Sequence, residues 1–433
     1  MKKPEILAPV GDWETLSAAI KAGADAVYFG IEQINMRSAS ARNFKLKELP
    51  KIVEKLHKNN VKGYLTLNTL IYDHELDRVK SILDEVKASN LDAVIATDMA
   101  IIQLCNEKDI EVHISTQLSV SNYEAVKFFS KFSPRIVLAR ECTLEQIKEI
   151  KNKIKKDKLN YKGREIELET FVHGSLCVAY SGRCFMSQFH NRISANRGQC
   201  LQECRRKYRI TDEEDPRREF VLEGEQVMSP KDLCTLPILD KLIEAGIEIF
   251  KIEGRAKGPE YAFTVTKAYK DAINLIEKEE FNEKNILKLL NELEKVYNRG
   301  FSTNFFLGTP TNDSWTKFYG SIAKETKIKI GKVNRFYPKL QVAEIIMEQN
   351  ELEEGETIAF IGDITGFYKT KANKIWVDEK EAKSAKKGDD VTIKVDEKVR
   401  KEDIVYKIKE RKEEFSKFEV HKPFRQTKEK GMV

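Results

Sequence analysis

Eight short apolar runs punctuate the chain between its start and Ile252: Ile6–Ala8, Ala26–Phe29, Tyr64–Leu67, Ala93–Ala96, Val112–Ile114, Ile136–Ala139, Thr170–Val172 and Ile247–Ile252. Several are β-branched or aromatic, as strands favour. Between most of them apolar residues recur at helical spacing. Leu16, Ala19 and Ile20 share a face ahead of Gly23, and Leu49, Ile52, Val53 and Leu56 do the same. Segments 123–132 and 144–154 repeat the pattern. Eight strands alternating with helices predict a closed (β/α)8 TIM-like barrel, with an open doubly wound sheet as the alternative.

A barrel gathers its active-site groups at the C-terminal ends of its strands. The polar residues that follow the runs are Asn68, Thr97, Asp98, Ser115 to Gln117, Arg140, Glu141, His173, Glu253 and Arg255. Arg37, in the stretch RSASARNF after the second run, joins them. Glu141, Glu253 and His173 are candidates for proton transfer. Asp98 reads equally well as a helix cap, and His113, inside a run, as a core histidine. The chain contains six histidines and no HExxH or GxSxG motif, which weighs against a hydrolase of those types and against a two-His-one-carboxylate iron site.

Residues 169–204 hold four of the seven cysteines, Cys177, Cys184, Cys200 and Cys204, and Cys234 follows. Thiolates are soft ligands for zinc or iron–sulfur clusters. Zinc sites are built from tight pairs, whereas only Cys200 and Cys204 are tightly spaced here, so a cluster of four irons fits the spacing better. Inert thiols and disulfides are the competing readings. Four ligands are needed and five cysteines are present; spacing does not choose between Cys204 and Cys234. The insertion, 174–235, follows the seventh strand and would cap the barrel mouth.

The same stretch carries a resemblance. Glu169, Phe171, Gly174, Ser175, Leu176, Cys177, Gly182, Cys184, Met186 and Ser187 match the signature of the U32 peptidase family. The likeness extends through PEILAPVGD, NMRSASARNF, KIEGR and YNRGFSTNFFLG, over about residues 4–310, with Ser194 as one departure from a usually acidic position. It implies a barrel-like N-terminal part and, beside the protease of the family name, iron–sulfur enzymes that hydroxylate nucleic-acid bases or quinone precursors. The chain looks most like the branch that forms 5-hydroxyuridine in tRNA with prephenate as co-substrate. By that resemblance a 4Fe–4S cluster is held by Cys177, Cys184, Cys200 and Cys234, with Cys204 as the alternative. Prephenate is a dicarboxylate and arginine binds carboxylates through two donors, so the resemblance makes Arg140, Arg183 and Arg255 candidate clamps, with Asn68 and Gln117 as further substrate contacts. Some relatives work as pairs, so a second family subunit is an expected partner. A peptidase, an rRNA hydroxylase, a quinone-precursor hydroxylase and an adaptor without turnover are the rival functions.

The net charge, 75 basic against 69 acidic residues, is only +6, so an RNA partner must be read from local patches. Three exist: Lys148 to Arg164, with Lys151, Lys153, Lys155, Lys156, Lys158 and Lys162; Arg205, Arg206, Lys207 and Arg209 around Tyr208; and the tail with Lys422, Phe424, Arg425, Lys428 and Lys430. The second, beside the cysteines, is the best placed for a tRNA anticodon loop, whose target base must leave its stack. There is no signal-like or membrane-length apolar run, so a cytoplasmic protein is expected.

Residues 1–275 thus read as the catalytic barrel and 276–318 as a helical linker. Short strands at 329–333, 340–346, 357–361, 375–377 and 391–395 predict a small C-terminal β-barrel over 319–410, ahead of a basic tail, 411–433.

Overall fold

The computed structural model describes residues 3–32, 34–206, 210–215, 219–220, 228–318 and 320–411. The strands β1 (Glu5–Pro9), β2 (Ala26–Phe29), β3 (Lys62–Leu67), β4 (Ala93–Ala96), β5 (Val112–Ile114), β6 (Arg135–Val137) and β7 (Glu167–Gly174) pair in parallel in chain order. A short strand, β8 (Asp232–Cys234), intervenes before β9 (Ile249–Ile252). β9 pairs in parallel with both β7 and β1, Glu5 opposite Ile249 and Leu7 opposite Lys251. That closure makes the sheet a barrel of eight parallel strands and removes the open-sheet alternative.

The helices α1 (Trp13–Lys21), α2 (Leu49–Lys58), α3 (Leu76–Ala88), α4 (Met99–Glu107), α5 (Tyr123–Phe129) and α6 (Leu144–Lys156) cover the outside with α8 (Leu239–Ala245), α9 (Pro259–Glu277) and α10 (Glu283–Lys295), while α7 (Met186–Asn191) belongs to the insertion after β7. Local chemistry fixes their starts. The Asp12 carboxylate accepts from Thr15 N at 2.8 Å, and Thr15 Oγ1 accepts from Asp12 N at 3.0 Å. Such a cap is worth about 1 kcal/mol. Asp98 caps α4, accepting from Ala100 N at 2.9 Å, and also accepts from Ile71 N at 3.2 Å. It is a helix cap that ties down the neighbouring loop. Apolar faces of the helices join the strand side chains in one large core.

The barrel floor, at the N-terminal ends of the strands, is sealed by charge. Arg135 is buried and reaches Glu5 at 2.7 Å, Glu167 at 3.0 Å and the Tyr64 hydroxyl at 3.2 Å. Burial opposes the Glu5 charge, but Arg135 overrides it and leaves the carboxyl below its ordinary value. His113 is fully buried beside Tyr64 with Nε2 3.0 Å from Glu111, as expected of a core histidine. The 148–164 patch lies at this floor end. Lys151 is buried on Glu165 and Glu248, Lys162 pairs with Asp109, and Arg164 with Glu111. These three charges are paired, while Lys148, Lys153, Lys155, Lys156 and Lys158 of the same patch are exposed.

The insertion after β7 returns to the barrel. β8 pairs antiparallel with β7, Cys234 opposite His173, and parallel with Phe301–Ser302. Beyond α10, eight antiparallel strands form a second sheet: β10 (Glu325–Tyr337), β11 (Val342–Met347), β12 (Thr357–Gly362), β13 (Gly366–Lys371), β14 (Ile375–Val377), β15 (Lys380–Ala382), β16 (Asp390–Lys394) and β17 (Ile404–Glu410). Their order is β13-β12-β17-β10-β11-β16-β14-β15, around a core that includes Ile330, Ile345, Phe360, Ile393 and Val405. Ile361 and Phe367 of this unit pack with Ala18 of α1 and Phe263 of α9. Lys21 Nζ donates to the Phe367 carbonyl at 3.0 Å. The unit therefore sits on the barrel's outer wall.

Candidate active site at the barrel mouth

A cleft opens at the C-terminal ends of the strands, and the cysteine insertion forms one of its walls. Two glycines let the wall close. Gly174 ends β7 at φ +104°, and a Cβ there would stand 2.2 Å from the Glu253 carbonyl oxygen. Gly198, at φ +84°, brings the insertion against the loop after β2; a Cβ would meet the Asn35 carbonyl oxygen at 2.1 Å. Only glycine tolerates both the dihedral and the approach.

The opposite wall is built from arginines around one carboxylate. Glu253 Oε1 accepts from Arg37 Nη2 at 2.8 Å and Nε at 3.1 Å, and Oε2 lies 3.4 Å from the Tyr28 hydroxyl. Burial would raise the Glu253 carboxyl; Arg37, Arg140 and Arg255 outweigh it and hold it down to about 2. Arg255 donates through Nη1 to Thr66 Oγ1 at 2.6 Å and Asn35 Oδ1 at 3.1 Å, leaving its buried Nε without a partner among the described residues. Burial lowers its pKa to about 10. The Arg140 guanidinium lies over the Phe171 ring at 4.1 Å and donates to the Ser175 carbonyl at 3.2 Å. Deeper in, Lys251 pairs with the fully buried Glu169 at 2.8 Å.

Cys177, Cys184, Cys200 and Cys204 all line the cleft. Burial pushes the Cys204 thiol up, and Cys177, Cys200 and Cys184 are near enough to add to the shift. Cys200 is close enough to Arg37, and Cys177 to Arg140, for each pair to interact electrostatically, so the thiol wall lies by the arginine wall. Two backbone amides point at sulfur: Met186 N to Cys184 Sγ and Gln202 N to Cys200 Sγ, each at 3.4 Å. Among the described residues no three His, Cys, Asp or Glu side chains close on the position of one metal ion. The donor set is thiols with amide donors to their sulfurs. It suits a thiolate-ligated cluster, which is broader than a single ion.

Of the other expected site residues, Arg37, Asn68, Gln117, Arg140, Arg205, Glu253 and Arg255 line the cleft. Arg205 does so as a brace. It is buried and donates to Ser229 Oγ, Pro230 O and Leu176 O at 2.7, 2.6 and 2.5 Å, so it offers no open phosphate site. Arg206 is exposed and pairs with Glu203. Lys207, Tyr208 and Arg209, like the tail patch from Lys422 to Lys430, lie outside the described residues.

Four expectations do not fit this geometry. His173 points away from the cleft into a buried aromatic nest of Tyr261, Tyr269 and Phe301, where burial drives its pKa down to about 3. Glu141 accepts from Ser181 N at 3.1 Å and anchors the insertion instead of meeting a substrate. Arg183 is exposed and donates to the Gln117 carbonyl, bridging insertion and barrel. Cys234 is buried on β8, away from the cleft wall, with Tyr269 Oη 3.9 Å from its sulfur. Burial raises that thiol to about 12. The geometry groups Cys204, not Cys234, with the other three.

The sequence reading missed three groups at the cleft: Tyr28, Lys257 and Arg299. Arg299 reaches Asp232 at 3.3 Å and Ser175 Oγ at 3.2 Å, linking β8 to the start of the insertion. Burial and the charge of Arg299 lower Lys257 to about 7. Tyr28 is the third residue of β2, within an apolar run, and nothing in its spacing marks it. Arg299 stood in the YNRG segment, whose place against β8 only the folded chain reveals.

The model of peptidase family U32 matches residues 11–316. A protein of Porphyromonas gingivalis named collagenase is 43% identical over 410 residues, 94% of this chain and 99% of its own length. The tRNA hydroxylation protein P1 of Bacillus subtilis is 36% identical, covering 83% of this chain and 84% of that protein. The 23S rRNA 5-hydroxycytidine C2501 synthase of Escherichia coli is 34% identical over 71% of this chain and 46% of its own length. The match spans β2 to β9, the cysteine insertion and the arginines that face it, and the chain belongs to peptidase family U32.

Proposed function

We propose that the chain is an RNA-modifying hydroxylase that replaces the C5 hydrogen of a uridine in a tRNA anticodon loop by hydroxyl, with a prephenate-type co-substrate giving up that hydroxyl and taking hydrogen in its place. The observation that carries the reading is the cleft with two unlike walls: four thiols on one side, and Arg37, Arg140 and Arg255 around a single ionised Glu253 on the other. The surplus of positive charge suits a dicarboxylate. The free Nε of Arg255 and the stacked guanidinium of Arg140 are the donors for it. Glu253 keeps Arg37 fixed and needs no proton of its own at neutral pH. Relatives named for tRNA hydroxylation and rRNA hydroxycytidine synthesis support the class of reaction.

In this reading Cys177, Cys184, Cys200 and Cys204 hold a 4Fe–4S cluster, which supplies redox chemistry beside the co-substrate when bound. Cys234 is the alternative fourth ligand, and a second family subunit remains part of the proposal. The collagenase-named relative points instead to peptide cleavage. The cleft gives that less support: among its described lining residues there is no histidine to serve a serine or cysteine nucleophile.

The test compares tRNA nucleosides from cells with and without the gene, and iron and sulfide in protein purified without oxygen. Loss of 5-hydroxyuridine-derived nucleosides on deletion, with about four irons per chain, supports the reading. Unchanged tRNA together with cleavage of a gelatin substrate overturns it.

A further inference from the structure

Large apolar side chains are exposed around the cleft rim. Phe189 is 83% exposed, Phe185 60% and Tyr180 56%. Each belongs to the cysteine insertion. Phe185 stands between the lining residues Cys184 and Met186, and Tyr180 precedes the lining residue Ser181. Phe185 and Phe189, one helical turn apart, have ring centroids 6.1 Å apart with the planes tilted by 59°. On another stretch of rim Tyr72, also exposed, carries the Arg197 guanidinium at 4.7 Å over its ring. Exposed aromatics cost solubility, so a cluster of them needs a use.

Charge narrows the choice. Segment 175–206 has five arginines and one acidic residue, Glu203, whereas the whole chain carries a net charge of only +6. Arg183, Arg192 and Arg206 of this segment are exposed, as the rings are. Rings that offer π-faces, on an arginine-rich segment at the lip of a cleft, match the way single strands are held. We propose that Tyr180, Phe185 and Phe189 are the platform on which bases flanking the target nucleotide stack, with Arg183 and Arg192 contacting the phosphates of a single-stranded RNA loop. This rests on the RNA-modifying reading and adds to it the residues that hold the substrate.

The experiment measures binding of a fluorescein-labelled anticodon stem–loop RNA to the holoprotein by fluorescence anisotropy across a salt series. Phe185→Ala/Phe189→Ala is expected to weaken binding roughly ten- to a hundredfold. The salt slope should stay unchanged, because no phosphate contact is removed. Phe189→Trp keeps the stacking face and should bind as the unaltered protein does, which separates stacking from misfolding. Arg192→Gln is expected to lower the magnitude of the slope by about 0.7. If the unaltered protein binds the RNA and the double variant binds it equally well, the platform is wrong while the RNA reading stands. If the unaltered protein binds no RNA, both fall. If the double variant instead loses self-association in sedimentation with RNA affinity intact, the rim is a subunit interface and the proposal is overturned.

Discussion

Glu253 and Arg37, 216 residues apart in sequence, meet through two donors on one oxygen: Nη2 at 2.8 Å and Nε at 3.1 Å from Glu253 Oε1. The contact joins the loop after β2 to the end of β9, neighbours on either side of β1 in the ring. It fixes a negative centre under the arginine wall. The folded pKa of Glu253, about 2, lies below the unfolded value, so its contribution to stability is complete above about pH 5. It is lost as pH falls through about 4 toward 2. The Glu253→Gln variant should lack that part of the acid dependence, a difference of order 3 kcal/mol at most between neutral pH and pH 2. Chemical denaturation of both proteins across this range checks it; parallel pH curves would contradict it.

His173 behaves in the opposite sense to a catalytic base. Its folded pKa, about 3, is depressed by burial alone. The neutral ring is therefore favoured by folding, and stability falls as pH drops below about 6.5 toward 3. His173→Ala should destabilise by roughly 2–4 kcal/mol through the cavity left among Tyr261, Tyr269 and Phe301. Activity per folded molecule at permissive temperature should change less than threefold. A loss of 10²-fold or more, as removal of a general base brings, would restore it to the site.

Much of the fold was legible because barrel strands are buried on both faces and read as continuous apolar runs; all eight runs fall in barrel strands or overlap their ends. β8 was not legible, since the three residues Asp232, Leu233 and Cys234 become a strand only by pairing with β7 and with Phe301–Ser302, both distant in sequence. In the C-terminal unit β13 (GFYKTK) and β17 (IVYKIKE) went unread because lysines interrupt their apolar alternation. At the site, strand-end position found Arg37, Arg140, Glu253 and Arg255. It misdirected Glu141 and His173 because position along a strand does not say which way the last side chain turns. His173 emerges toward α9 and Glu141 toward the backbone of the insertion.

The thiols should separate by environment. Burial raises Cys105, Cys142 and Cys234 to about 12, so their thiolate fraction at pH 8 is negligible. Brief alkylation of metal-free protein at pH 8, read by peptide mass spectrometry, should label Cys177 first, as it is exposed, and spare those three. Rapid labelling of Cys234 would place it in the cleft after all.

If the proposed function holds, Arg255 and Arg140 act on the co-substrate rather than on RNA. Arg255→Lys removes the free Nε, and a lysine offers a point charge where a planar fork is needed. KM for prephenate should rise roughly ten- to a hundredfold while RNA affinity stays within twofold. Equal losses of both would show that the arginine wall organises the whole mouth.

The central claim is that the thiol wall and the arginine wall together hydroxylate RNA, and reconstitution tests it most directly. Holoprotein prepared without oxygen, unmodified tRNA and prephenate are incubated, and the nucleosides are read by mass spectrometry, with Cys204→Ser and Cys234→Ser in parallel. The account predicts 5-hydroxyuridine from the unaltered protein and from Cys234→Ser, and neither product nor full iron content from Cys204→Ser. Product from Cys204→Ser but not from Cys234→Ser would contradict the ligand set. No product from any of them under conditions where the RNA binds would contradict the function.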